Sequence, residues 1–163
     1  MGAGGLNVES ADAGEPSLAE AEPDAGGCPE PQIIAAEALK TVAKPWGEER
    51  WLAHTNRYAG KILLLKKGHR LSLQYHERKH EVQYIDYGRV KYTLGTAKRP
   101  GEYREVVLEA GDVVVLPPGA VHRMEALEDT RFFEVSTPEL EDIVRIEDDY
   151  GRAGPAHETD RSA

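Results

Sequence analysis

The chain has 163 residues, 40% hydrophobic and 30% charged, enough for one domain with its own core. Its one cysteine, Cys28, excludes a disulfide framework, and no apolar run reaches the ~18 residues of a membrane span. The net charge of -9 sits mainly in residues 1–39, with eight acids and no Lys or Arg; the other 21 acids and 20 bases nearly cancel, so no nucleic-acid surface is expected.

Residues 1–31 are rich in Gly, Ala, Pro and acids and contain no aromatic residue. Such a segment buries too little apolar surface to offset the entropy of ordering it, so a disordered acidic tail is expected, with partner binding as the alternative. No basic region precedes an apolar run at the N-terminus, which argues against a secretory signal and for a reducing, cytoplasmic location. Ile33 to Lys44 combines helix formers with an apolar face of Ile33, Ile34, Leu39 and Val42, predicting a short helix ended by Pro45.

Beyond Pro45 the pattern changes to period two. Candidate strands are Glu49–Ala53, Lys61–Lys66, Arg70–His76, Glu81–Tyr87, Arg89–Leu94, Tyr103–Leu108, Asp112–Leu116, His122–Leu127 and Thr130–Ser136. They are short and punctuated by Gly or Pro, which predicts an all-β antiparallel sandwich or barrel. The expected domain covers 32–152, with its core over 44–150 and a frayed end over 153–163.

If Arg70 to His76 is one strand, Arg70, Ser72, Gln74 and His76 share a face and Leu71, Leu73 and Tyr75 share the other. Burying the first set without partners would be costly, and a metal with a polar ligand resolves that. Glu81 follows His76 by five residues, and His122 lies in a second Gly- and Pro-marked stretch, Gly111 to His122. An amide oxygen from Gln74, imidazoles from His76 and His122 and a carboxylate from Glu81 form a mixed N/O set suited to a divalent transition metal. Gln74 could instead only donate to a bound water.

His80 is expected at the surface, and His54, His69 and His157 have no partner at metal spacing. Glu134 shares a face with Phe132 and Ser136, as a general base if that face is inward or as an exposed acid if outward. Arg70, Lys61 and Arg123 are candidates to hold an anionic substrate group, each with a solvated surface charge as the alternative.

The first stretch runs G-x5-Q-x-H-x4-E-x6-G from Gly68 to Gly88; the second runs G-x5-P-x-G-x2-H from Gly111 to His122. Together they resemble the two signature motifs of the cupin superfamily, with Gln74 where many members have His and Ala126 where Asn often follows. The resemblance implies a jelly-roll β-barrel. Lys44–Gly47 (KPWG), Arg70–Gln74 (RLSLQ), the Pro-x-Gly-x-x-His-Arg element ending at Arg123, and Ile143–Arg152 are further similar to the C-terminal cupin domain of type II mannose-6-phosphate isomerases. Large members of that family carry a nucleotidyltransferase domain for which 163 residues leave no room, so a stand-alone cupin domain is expected.

The resemblance implies an isomerase interconverting mannose 6-phosphate and fructose 6-phosphate. One divalent metal, zinc favoured over cobalt, manganese, nickel or iron, would be held by Gln74, His76, Glu81 and His122. Glu134 would carry the proton, and Arg70, Lys61 or Arg123 would fix the phosphate. His76, Glu81 and His122 also match the two-His-one-carboxylate set of non-haem iron dioxygenases. A non-catalytic sugar-binding or regulatory cupin is the third reading. Cupins commonly pair, so a homodimer through Leu71, Leu73 and Tyr75 is expected, with neither nucleic acid nor membrane as partner.

Overall fold

Residues 31–152, the part that the computed structural model describes, contain eleven strands and one 3-10 turn. The expected acidic tail, apart from Pro31, and the expected frayed end at 153–163 lie outside the described residues. The strands are β1 (Thr41–Lys44), β2 (Gly47–His54), β3 (Ala59–Leu65), β4 (Leu73–Tyr75), β5 (Glu81–Tyr87) and β6 (Arg89–Thr96). They continue as β7 (Arg104–Glu109), β8 (Val113–Leu116), β9 (Ala120–Ala126), β10 (Thr130–Ser136) and β11 (Val144–Glu147). Two antiparallel sheets result, one ordered β1-β2-β3-β10-β5-β8 and the other β11-β4-β9-β6-β7.

Alternation along the strands decides what lies between the sheets. On β10, Phe132, Glu134 and Ser136 are buried; they pair in register with Ile85, Gln83 and Glu81 of β5, which are buried too. On β9, Met124 and Ala126 join the core while His122 is buried nearer the other end of the strand. The interior therefore grades from an apolar core around Leu63, Leu65, Ile85, Tyr92, Met124 and Phe132 to a polar end. Each such apolar side chain stabilises by roughly 1.5–3 kcal/mol when fully buried, which lets the polar end carry unfavourable desolvation. At the β5–β6 turn, Gly88 has φ 93°, and a Cβ there would lie 2.6 Å from the Asp129 carbonyl oxygen, so the motif's last glycine is sterically required.

Two expectations are corrected. The helix expected over Ile33 to Lys44 is a 3-10 turn, Ala36–Ala38, followed by β1. Ile33 is 99% exposed, so the apolar face meets no core; Thr41 and Val42, β-branched, pair instead with Arg50 and Glu49. Leu73 is buried, and Leu71 packs on the core, so they do not form an outward patch with Tyr75. Strict alternation fails because β4 is only three residues long and Arg70 makes an isolated bridge to Glu125, leaving consecutive Ser72 and Leu73 both buried. The exposed apolar side chains instead include Tyr84, Val113, Val115 and Val135, on adjacent strands β5, β8 and β10.

The segment after β11 is tied down by charge. Arg70 bonds Asp149 through two nitrogens at 2.5 and 2.9 Å. Asp148 accepts from the Tyr150 and Arg152 backbone N–H groups at 3.1 and 2.7 Å and pairs with the Arg152 guanidinium at 2.6 Å. Arg152 foremost pulls the Asp148 carboxyl down to about 2. A depressed carboxyl stabilises the fold above its unfolded pKa, near 4, and loses that contribution as pH falls toward 2. Asp148→Asn is therefore expected to cost about 1–2 kcal/mol at pH 7 and to converge with wild type near pH 2. Urea unfolding at both pH values checks this; a gap independent of pH would contradict it.

Candidate metal centre and its pocket

His76, just past β4, Glu81, opening β5, and His122 on β9 converge from both sheets. One ligand atom from each lies within 4.8 Å of the others, and all three residues are buried. The two imidazoles are oriented alike. His76 Nδ1 is hydrogen-bonded to the Asp142 carbonyl, and His122 Nδ1 to the Ala120 carbonyl at 3.0 Å. Each carbonyl can only accept, so each Nδ1 carries a proton and each Nε2 is turned to the interior, where its lone pair serves a cation whenever no second proton sits on it. Among the described residues His76 Nε2 has no hydrogen-bond partner and stands 3.8 Å from Glu81 Oε2, while His122 Nε2 is 3.2 Å from Glu81 Oε1. A buried, unpartnered imidazole lone pair beside a carboxylate is a donor set that fits a divalent cation.

Gln74 is paired with His122 across β4 and β9, and its amide nitrogen lies 3.4 Å from His122 Nε2, with its oxygen accepting from Ser72 Oγ at 2.5 Å. Glu134 faces inward. Its Oε1 accepts from Lys79 Nζ at 2.7 Å, and the same ammonium bonds Glu81. Gln83 Nε2 donates to Glu81 Oε1 at 3.1 Å, and Tyr92 Oη donates to Gln83 at 2.8 Å, completing a buried network.

Burial alone would raise the Glu81 carboxyl, but contacts with His122 and Lys79 outweigh it and hold the group well below the ordinary range. Burial would lower Lys79, yet Glu134 and Glu81 prevail and raise it, so it stays an ammonium. Burial lowers His76, against the opposing pull of Asp142 and Glu81, favouring the neutral, metal-competent imidazole. Two carboxylates and one ammonium leave a net charge that a divalent ion would offset.

Lys79 was not among the sequence candidates. Its signal was parity: it lies two residues before Glu81, so a strand-like approach puts both on one face. His80, of opposite parity, is exposed. The centre opens on a cavity of about 120 Å³ whose lining includes Lys44, Lys61, Gln74, His122, Glu134 and Arg145. Arg70 and Arg123 do not line it. Arg70 is committed to Asp149, and Arg123 to Glu147 at 3.0 Å and to the Leu71 carbonyl at 3.1 Å.

Residues 61–136 match the family described as Cupin domain. With two antiparallel sheets enclosing a His/Glu/His cluster, the described residues have a cupin-like jelly-roll fold, and the family match itself spans 61–136. Among curated proteins it is 30% identical over 119 residues to mannose-1-phosphate guanylyltransferase ManC of Salmonella typhimurium. That match takes in 69% of this chain but 23% of the relative, so the chain spans about a quarter of its length. Solved structures of similar fold include KdgF from Halomonas sp., with TM-score 0.56 and 22% identity over 68% of this chain and 97% of that one. Oxalate decarboxylase of Bacillus subtilis, described with Mn(II) centres, has the same TM-score and identity over 66% of this chain and 30% of that one. At such identities the likeness is one of fold. Among the described residues no helix is long and apolar enough to cross a membrane.

Proposed function

We propose that this domain is a metal-dependent isomerase of a sugar phosphate, interconverting mannose 6-phosphate and fructose 6-phosphate in the cytoplasm. The observation that carries this reading is the buried His76–Glu81–His122 cluster, opening on a cavity lined by Glu134 and by Lys44, Lys61 and Arg145. The similarity to an enzyme named for mannose 1-phosphate supports a phosphorylated sugar as the ligand class.

His76, Glu81 and His122, with Gln74 beside them, would hold one divalent metal, zinc being the proposed ion. When bound, such a metal supplies Lewis-acid polarisation of a carbonyl and its neighbouring hydroxyl. Glu134 is the proposed base: Lys79 occupies its Oε1, leaving Oε2 to take a proton from one carbon and return it to the next. Lys79 fixes the direction of that carboxylate and shields it from Glu81. The half-buried walls limit the water that could quench the transferred proton. We also propose that two copies pair through the face bearing Tyr84, Val113, Val115 and Val135.

The test is a coupled assay of mannose 6-phosphate isomerisation on protein loaded in turn with zinc, cobalt, manganese, nickel and iron. Turnover that disappears in His76→Ala and Glu134→Gln is expected. Folded, metal-loaded protein without turnover for any metal would overturn the assignment.

A further inference from the structure

Five arginines among the described residues are at least partly shielded from solvent: Arg70, Arg123, Arg131, Arg145 and Arg152. Four of them face a carboxylate, namely Asp149, Glu147, Asp86 and Asp148 respectively. Arg145 is the exception. Its Nε is buried with no hydrogen-bond partner, and it has no ion pair among the described residues. A desolvated guanidinium donor without an acceptor is costly, and a structure that keeps one beside a cavity has left a place for an anion.

Register places that guanidinium. Arg145 of β11 pairs with Gln74 of β4, which pairs with His122 of β9. One row of the five-stranded sheet thus carries the unpartnered arginine next to the metal cluster. On the opposite sheet, Lys61 of β3 pairs with Glu134 of β10. Lys61 has no ion pair among the described residues; its Nζ stands 4.4 Å from the centre of the Trp51 ring, a contact that restricts the side chain without neutralising it. Arg145 and Lys61 line the same cavity from different sheets.

We infer that Arg145 and Lys61 form an oxyanion subsite at this cavity, receiving the phosphate group of the substrate while the rest of the molecule reaches the cluster. The inference rests on the sugar-phosphate reading above and adds to it the residues that recognise phosphate. Arg145 supplies a planar fork suited to two phosphate oxygens, and Lys61 adds a point charge from the facing wall. Of the three basic residues that the sequence offered for an anion, only Lys61 takes part, since Arg70 and Arg123 are spent on acids of the same chain.

Calorimetric titration at one pH, with the full chain, tests this with three probes: inorganic phosphate, mannose 6-phosphate and unphosphorylated mannose. Wild type is expected to bind both phosphates more tightly than mannose. Arg145→Met should weaken both by about thirtyfold or more, with Lys61→Met weaker in effect and mannose binding unchanged. Arg145→Lys, keeping charge but losing the fork, should fall between, and a preserved melting temperature separates lost recognition from lost folding. Phosphate affinity retained in both Met variants would overturn the subsite whatever the isomerase assay shows. So would wild type that binds neither phosphate at millimolar concentration. Loss of phosphate binding in Arg145→Met together with absent turnover would leave the subsite standing and remove only the isomerase reading.

Discussion

Lys79→Met is expected to destabilise the metal-free protein by about 3–5 kcal/mol, the usual cost of removing one partner from a buried charge cluster. Glu81 is 1% exposed and Glu134 8%, and Lys79 is the ammonium that touches both. Without it, two carboxylates remain in a low-dielectric interior, with Gln83 and His122 still beside Glu81 and, among the described residues, no other ion pair to Glu134. The second variant, Lys79→Met with Glu134→Gln, should recover much of the loss, because it removes the charge that the lysine had neutralised. Added zinc should raise the melting temperature of Lys79→Met more than that of wild type, since the ion takes over the neutralisation. Urea unfolding of chelator-treated protein gives the numbers. A loss within about 1 kcal/mol would mean that the carboxylates do not depend on Lys79.

His122→Ala is expected to weaken zinc binding by at least about a hundredfold, since loss of an outer partner alone commonly costs 10–100-fold. The imidazole offers Nε2 to the cluster while the Ala120 carbonyl holds Nδ1, and the Gln74 amide beside it is a weaker donor than an imidazole. His80→Ala, at an exposed position between β4 and β5, should leave affinity unchanged and so controls for nonspecific effects of removing a histidine. Competition against a chromophoric chelator measures both. Equal affinity in wild type and His122→Ala would remove the cluster from consideration as the metal centre.

The interior of the fold and most of the cluster were legible because period-two alternation and the Gly-bounded spacings are local signals. Glu81–Tyr87 and Thr130–Ser136 read as strands to the residue, and Gln74, His76, Glu81 and His122 do lie together. What escaped was decided by partners far away in sequence. Ile33 to Lys44 has helical composition, but a short amphipathic helix forms only where its face meets a core, and here β2 offers a strand edge instead. Leu73 looked outward because alternation was assumed to persist through Arg70–Ser72, where the regular ladder is absent. Arg145 was invisible as a binding residue because its value lies in what it lacks among the described residues, a carboxylate of its own, and only the ion pairs of those residues show that.

Asp142 does two things for the centre from outside it. Its carbonyl fixes His76, and its carboxylate accepts from the backbone N–H groups of Glu77, Arg78 and Lys79 at 3.1, 2.6 and 2.8 Å, shaping the loop that delivers the lysine. Between that loop and Asp142 lie more than 60 residues of chain, from the end of β4 to the approach of β11. On the ribosome, Gln74, His76, Glu81 and His122 all emerge before the group that holds His76. A nascent chain stopped after β10 would possess every proposed metal ligand with His76 still free to rotate.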